Sequence, residues 1–157
     1  MSPPGPCGGP TVSSEPVVPT APTLGDLAAA VRGVALLGDP AVRVQDASCD
    51  SREVRPGSVF FCIRGEQADG HDFAGAAVAA GAIALVVDRR LDAAEVPQLL
   101  VPDVRAAAGP IAAEIFGHPA RSLTITGFTG TNGKTTSTYL MGSVFAAAGS
   151  VPGTIGT

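Results

Sequence analysis

The chain has no tryptophan, and aromatic side chains make up only 4% of its 157 residues. Hydrophobic residues still reach 45% of the chain, so the sequence predicts a core of alanine, valine, leucine and isoleucine. Charged residues are also few, at 15%, and the net charge of −4 disfavours a nucleic acid or an acidic membrane as the partner. The sequence contains no apolar run long enough to span a membrane and no secretory signal pattern, which predicts a protein that is not inserted in a membrane.

Cysteine is equally scarce. Cys7, Cys49 and Cys62 lack the spacing of a metal site, and an odd number of cysteines cannot all pair within one chain. Cys62 lies in an apolar strand pattern, where a buried thiol is expected. The sequence therefore predicts reduced cysteines and a cytoplasmic location.

The order of elements predicts an α/β fold with a largely parallel sheet. Residues 1–22, rich in proline, glycine, serine and threonine, are expected to form a disordered tail. A domain boundary is expected near Pro102–Asp103, which separates residues 23–102 from residues 103–157. Strands are predicted at 42–44, 59–63, 83–87, 98–101 and 123–126, and helices at 24–31, 73–80, 104–116 and 133–148. The predicted caps of the first three helices are Thr23, Asp72 and Asp103.

The segment Leu123–Thr136 has the layout of a phosphate-binding loop between a strand and a helix. Gly130 and Gly133 allow backbone N–H groups to turn toward phosphate oxygens. Lys134 can place a positive charge on the β- and γ-phosphates, and the Thr135 hydroxyl can bind Mg²⁺. The segment therefore predicts a nucleoside triphosphate as the ligand, with a glycine-rich turn that binds nothing as the alternative.

Three segments together resemble the Mur ligase family, the ATP-dependent amide-forming ligases of peptidoglycan precursor synthesis. Thr129–Thr136 is similar to that family's phosphate loop, in which the position of Phe128 is commonly apolar. Residues 50–57 (DSREVRPG) and 65–73 (GEQADGHDF) resemble the N-terminal uridine-nucleotide domain of the members that add the third residue and the terminal dipeptide. The ending at residues 153–157 (GTIGT) is similar to the third-residue ligases.

The resemblance implies a small α/β uridine-nucleotide domain at 23–102. After it, at 103–157, comes the truncated start of a Rossmann-like ATPase domain with a P-loop. It also implies contacts with the UDP-sugar from Cys49, Ser51, Arg52, Glu66, Gln67 and Ala68. Glu66 departs from the family pattern, because relatives often carry histidine there. The implied ATP contacts, with Lys134 as the catalytic residue and Thr135 as a metal ligand, are Gly130, Thr131, Asn132, Gly133, Lys134, Thr135 and Thr136.

The implied reaction adds a third amino acid, meso-diaminopimelate or L-lysine, to UDP-N-acetylmuramoyl-L-alanyl-D-glutamate. ATP would convert the D-glutamyl carboxylate to an acyl phosphate, which the amine of the incoming amino acid then attacks. The family's downstream metal ligands and amino-acid site have no counterpart in this sequence, so the chain is expected to be inactive alone. His71 and His118 are not expected to be catalysts, and the oligomeric state cannot be inferred from the sequence.

Three alternatives remain open at this point. The chain could come from the ligase that adds the terminal dipeptide, or it could be a non-catalytic uridine-nucleotide module with a vestigial phosphate loop. It could also be a P-loop NTPase unrelated to cell-wall synthesis, although that reading leaves the two upstream segments unexplained.

Overall fold

The computed structural model describes residues 21–155, so most of the predicted tail lies outside the described residues. The chain divides into two compact units, the first ending at His118 and the second beginning at Pro119. Between residues 21 and 155, no helix has both the length and the apolar character needed to cross a bilayer.

The first unit is built on a five-stranded sheet with the strand order β1-β5-β4-β3-β2. Strands β2 to β5 run parallel to their neighbours, and β1 is antiparallel to β5. This confirms the predicted α/β class with a largely parallel sheet. The strands are β1 (Ala35–Leu37), β2 (Asp46–Ser48), β3 (Ser58–Phe61), β4 (Ala84–Val87) and β5 (Gln98–Leu100).

Three α-helices belong to this unit: α1 (Leu24–Ala29), α2 (Ala74–Ala79) and α3 (Val104–Ile115). The predicted starts of α1 and α3 are confirmed. Thr23 and Asp26 form a reciprocal capping box, and the carboxylate of Asp103 accepts a hydrogen bond from the backbone N–H of Ala106 at 3.1 Å.

Successive residues of β3 point into two separate clusters of buried side chains. Val59 and Phe61 pack with residues of α1 and α3 on one face, whereas Phe60 and Cys62 pack with residues of α2 on the other. A strand covered on both faces reads as a continuous apolar run, which is why β3 and β4 are recognisable in the sequence. Cys62 is buried, as expected, and burial raises the pKa of its thiol to about 12.

Two of the short strands lie outside the predicted positions. Residues 42–44 form no strand, and Arg43 makes only an isolated bridge to Thr23. Instead, β1 and β2 occupy the residues on either side, and each is only three residues long. Such short strands exist because they pair with β5 and β3, a contact that local sequence does not encode.

The predicted cap at Asp72 is wrong. The side chain of Asp69 accepts the backbone N–H of His71 at 3.0 Å and so begins a 3₁₀ helix at Gly70–Phe73. Helix α2 follows directly on this turn, with no side-chain hydrogen bond at its first residue. The first backbone N–H groups that need a side-chain partner therefore belong to the 3₁₀ helix, and Asp69, three residues before Asp72, is the residue that reaches them.

The second unit contains a 3₁₀ helix at Pro119–Ser122 and helix α4 (Lys134–Ala147). The strand predicted at 123–126 is absent, because residues 119–155 contain no other strand with which its backbone could pair. Leu123 and Ile125 are correspondingly 63% and 71% exposed.

The compact boundary lies later than Pro102–Asp103. Helix α3 belongs to the first unit because its apolar face is buried in that unit's core through Val104, Ala107, Ile111 and Ile115.

Candidate functional site

The six predicted sugar-nucleotide contacts lie in loops that leave neighbouring parallel strands at the same edge of the sheet. Cys49, Ser51 and Arg52 follow β2, and the turn Glu66–Ala68 comes after β3. Strands β2 and β3 are paired in register, with Ser48 opposite Phe60, so their carboxyl ends lie side by side. This edge is where open α/β sheets bind ligands.

The loop after β2 is held by a compact set of hydrogen bonds. The hydroxyl of Ser48 donates to the carbonyl of Asp50 at 2.9 Å and accepts the N–H of Asp50 at 3.1 Å. The Asp50 carboxylate accepts hydrogen bonds from Arg52, from Nε at 2.9 Å and from Nη2 at 2.5 Å. These bonds fix the guanidinium at the surface, where 86% of the Arg52 side chain is exposed.

The charge of Arg52 also acts on its partner. Hydrogen bonds from the Arg52 guanidinium lower the pKa of Asp50 to about 2, so this carboxylate stays ionised at any physiological pH. An open groove of about 540 Å³ lies beside the pair. The groove is lined by Asp46, Ala47, Ser48, Arg52, Glu53, Val54 and Arg55. Cys49 is exposed and Ser51 half-buried, and neither is among the lining residues.

The loop after β3 carries Glu66, Gln67 and Ala68 at its tip, and all three are exposed. Gly65 donates its N–H to the carbonyl of Ala68 at 2.9 Å, which closes a tight turn. The exposed tip presents backbone groups and the Gln67 amide to solvent, the groups that recognise the edges of a base.

Sequence reasoning did not identify the charged residues around this turn. Arg64 and Asp69 flank it, and Asp88 and Arg89 follow β4, the next strand in the sheet. The clue in the sequence is that charged residues come soon after buried strands. The carboxyl ends of these parallel strands lie at one edge of the sheet, so the charged residues lie near the loops at that edge.

The glycine loop of the second unit adopts the conformation its sequence requires. Gly130 and Gly133 have φ values of 153° and 78°, in the region that favours glycine. Helix α4 begins immediately after Gly133, and this residue has no side chain that could cap the first turn. A helix start of this kind offers backbone N–H groups and a positive dipole end to an anion.

Lys134 is the only lysine of the chain, and its side chain folds back over the loop. Its ammonium donates to the carbonyl of Gly130 at 2.5 Å and to that of Thr131 at 3.4 Å. The charge is therefore held at the loop itself. Thr135 follows in the first turn of α4 and supplies a hydroxyl oxygen, a ligand type that Mg²⁺ prefers.

Residues 21–155 contain no cluster of three or more histidine, cysteine or acidic side chains suited to a metal ion. Of the residues described, Thr135 is the one that the sequence analysis assigned to Mg²⁺. A single hydroxyl fits a metal that is bound mainly through the phosphates of its nucleotide.

A sequence model described as "Mur ligase family, catalytic domain" matches residues 43–115. The UDP-N-acetylmuramoyl-L-alanyl-D-glutamate–2,6-diaminopimelate ligase of Geobacillus thermodenitrificans is 49% identical over 108 residues, which cover 69% of this chain and 22% of that protein. The ligase of the same name from Geobacter metallireducens is 41% identical over 138 residues, or 85% of this chain and 26% of that protein. The chain thus spans about a quarter of the length of these curated relatives.

Solved structures give the same picture of the fold. MurF from Acinetobacter baumannii superposes with a TM-score of 0.68 at 32% identity, covering 83% of this chain and 29% of that one. The MurF ligase from Thermotoga maritima, solved in complex with ADP, gives a TM-score of 0.54 at 29% identity, covering 66% of this chain and 24% of that one.

Proposed function

We infer that the chain, which belongs to the Mur ligase family, supplies two sites of a third-residue ligase. The family follows from residues 43–115, which match the family model, and from the two curated relatives above, which are 49% and 41% identical to this chain. The first unit binds the uridine-nucleotide end of UDP-N-acetylmuramoyl-L-alanyl-D-glutamate. The glycine loop of the second unit binds ATP, and the amino acid added is 2,6-diaminopimelate.

The observation that carries this proposal is the 49% identity to a ligase named for diaminopimelate. Both curated relatives described above are named as diaminopimelate ligases, so the dipeptide-adding ligase is less favoured. The fold does not separate the two, because a solved ligase named for diaminopimelate shares it with the MurF structures.

In the first unit, the two loops at the carboxyl edge of the sheet form the proposed nucleotide site. The Asp50–Arg52 pair fixes a guanidinium next to the groove, and the Glu66–Ala68 turn offers backbone and amide groups. Backbone groups and amides distinguish a pyrimidine by its hydrogen-bonding edge, whereas a guanidinium serves an anion.

In the second unit, the ammonium of Lys134 exchanges its two carbonyl partners for phosphate oxygens when a triphosphate enters the loop. Thr135 is the residue that would hold Mg²⁺, and the ion would supply charge neutralisation during phosphoryl transfer. The roles of Lys134 and of the α4 start are electrostatic, so no nucleophile from the protein is required.

The proposed reaction has two steps. A D-glutamyl carboxylate oxygen bonds to the γ-phosphorus while the bond to the β–γ bridging oxygen breaks, and ADP leaves. An amine of diaminopimelate then bonds to the acyl carbon, phosphate leaves, and the amine gives up a proton to solvent. Lys134 stabilises the charge that develops on the transferred phosphoryl group in the first step.

Because Lys134 is the only lysine, chemical modification tests the ATP site directly. We expect ATP with Mg²⁺ to slow acylation of Lys134 by an amine-selective reagent, measured by mass spectrometry, while the N-terminal amine of the same molecule reacts unchanged. UDP-N-acetylmuramoyl-L-alanyl-D-glutamate should bind in calorimetry without protecting Lys134. Equal acylation rates with and without ATP would remove the ATP site from the proposal.

Turnover tests the reaction in the complete product of the gene. Lys134→Met should lower ligation of diaminopimelate by roughly 10²- to 10³-fold, the cost of losing one preorganised group that stabilises transition-state charge. Arg121→Met removes an exposed cation from the same unit and should leave turnover unchanged. Faster use of the tripeptide precursor with D-alanyl-D-alanine would instead identify the dipeptide-adding ligase.

A further inference from the structure

The Glu66–Ala68 turn stands on a very short stem. Arg64 and Asp69 form an antiparallel bridge directly below it, and Gly70 donates its N–H to the carbonyl of Ile63 at 3.0 Å. The two sides of the stem approach so closely that a Cβ on Gly70 would lie 2.5 Å from that carbonyl oxygen. Only one backbone hydrogen bond closes the turn itself, so its orientation depends on what holds the stem.

Four hydrogen bonds and ion pairs from the surrounding groups converge on the Asp69 carboxylate. Its Oδ1 accepts the backbone N–H of His71 at 3.0 Å and lies 2.6 Å from Nδ1 of the same residue. Its Oδ2 accepts a hydrogen bond from Nη2 of Arg89 at 3.0 Å and lies 3.5 Å from Nε of Arg64. These donors hold the pKa of Asp69 well below its usual range, with the hydrogen bonds from His71 as the largest cause.

His71 links this carboxylate to the neighbouring strand. Only 1% of its side chain is exposed, and its Nε2 accepts the backbone N–H of Asp88 at 3.3 Å. An ionised carboxylate can only accept, so Nδ1 of His71 donates to Asp69, while Nε2 also lies 3.3 Å from Oδ1 of Asp88. Asp88 and Arg89 directly follow β4, so both His71 and Arg89 tie the stem to the end of that strand.

The partial exposure of the network argues against a role in overall stability alone. The Arg64 and Arg89 side chains are 63% and 45% exposed, and ion pairs so exposed contribute little to the free energy of unfolding. They do restrict where the stem can lie. Restricting a binding loop before the ligand arrives lowers the ordering cost of binding.

We propose that Asp69 is a positioning residue that holds the Glu66–Ala68 turn, through His71 and Arg89, in the orientation that receives the uridine nucleotide. The inference rests on the proposed function, because it assumes that this turn contacts that ligand. Neither Asp69 nor Arg89 needs to touch the ligand.

Asp69→Asn is the informative variant. The amide keeps an oxygen for His71 but places an NH₂ group against the Arg89 guanidinium, so the tie to β4 through Arg89 is broken with little change in volume, while the tie through His71 remains. If the turn then spends about a tenth of its time in the competent orientation, the Kd for UDP-N-acetylmuramoyl-L-alanyl-D-glutamate rises roughly tenfold. Calorimetry on the 157-residue chain measures this Kd, and amide hydrogen exchange at Glu66–Ala68 should accelerate in parallel.

Asp92→Asn is the matched control, because it breaks an exposed ion pair with Arg90 at 2.7 Å in the same loop region. It should leave both the Kd and the exchange rates unchanged. Arg89→Lys should bind the precursor more tightly than Arg89→Met, since it restores the charge that faces Asp69.

A change in Asp69→Asn confined to the thermal midpoint, with the Kd within twofold of wild type, would overturn the inference and leave the proposed function intact. A wild-type chain that binds no uridine nucleotide would instead overturn the proposed function and, with it, the inference.

Discussion

The two compact units differ in how far their apolar side chains are buried. In the first unit, β3 and β4 are buried on both faces, and Ile111 of α3 is fully buried against the sheet. In the second unit, helix α4 has no buried residue, and Leu140 and Val144 are 65% and 51% exposed. The comparison separates a packed sheet in the first unit from a loop and helix in the second whose apolar side chains are exposed among the described residues.

Two helices of the first unit also begin differently from α4 in the second unit. In the first unit, Thr23 and Asp103 each supply a side-chain oxygen to the first turn of a helix. In the second unit, α4 begins at Gly133, which has no side chain. A capped start satisfies its own N–H groups, whereas the start of α4 leaves its N–H groups available to an anion.

The largest expected effect tests the difference in packing. Ile111→Ala should lower the free energy of unfolding by about 2–5 kcal/mol, because it leaves a cavity in a close-packed core. Leu140→Ala, which removes an exposed leucine from α4, should change it by less than about 0.5 kcal/mol. Urea unfolding followed by circular dichroism measures both. Equal losses in the two variants would mean that α4 is packed as tightly as α3.

An intermediate effect tests the stem of the Glu66–Ala68 turn. Gly70→Ala should destabilise the first unit by about 1–3 kcal/mol, because the added methyl group meets the backbone of Ile63. Gly75→Ala is the control in helix α2, where a Cβ meets nothing within 4 Å. It should be neutral or stabilising by up to about 1 kcal/mol, since alanine is the better helix former. A harmless Gly70→Ala would show that the stem is looser than this geometry.

The smallest effect tests surface charge in the packed unit. The pKa of Asp50 is about 2 in the folded chain, below its ordinary value of about 3.9 in an unfolded one. The folded state is therefore favoured above about pH 4, and this contribution is lost as the pH falls toward 2. The gain is small because both side chains are in contact with solvent.

Carboxyl carbon NMR measures this titration residue by residue. Arg52→Gln should raise the pKa of Asp50 toward 3.8, since it removes the guanidinium that lowers it. Arg90→Gln, at an arginine paired with Asp92, should leave the pKa of Asp50 unchanged. An Asp50 that titrates normally in the wild-type chain would contradict the Asp50–Arg52 geometry.

The sequence predicts an element of the fold well where a strand is buried on both faces or where a helix has a recognisable capping residue. Strands β3 and β4 are continuous apolar runs, and α3 lies between Asp103 and Gly117, so both element types could be predicted. Strands β1 and β2 could not, because three residues carry no periodic signal and acquire their structure by pairing. The strand expected at 123–126 has the right residues, but β-structure also needs a partner strand.

The candidate site divides in the same way. Local sequence predicted the glycine loop, whereas the Asp50–Arg52 and Glu66–Ala68 turns were predicted from their resemblance to the Mur ligase family. The sequence did not identify the Asp69, Asp88 and Arg89 network. Its members are up to 20 positions apart and meet only because β3 and β4 are neighbours.

By itself, the sequence determined the α/β class, the positions of the buried strands and the glycine conformation of the loop at Gly130 and Gly133, since these depend on nearest neighbours and burial patterns. Only the tertiary structure decided which charges surround the Glu66–Ala68 turn and that α3 belongs to the first unit. The first follows from the register of parallel strands, which brings the ends of distant segments to one edge of the sheet, and the second from the burial of the apolar face of α3 in that unit's core.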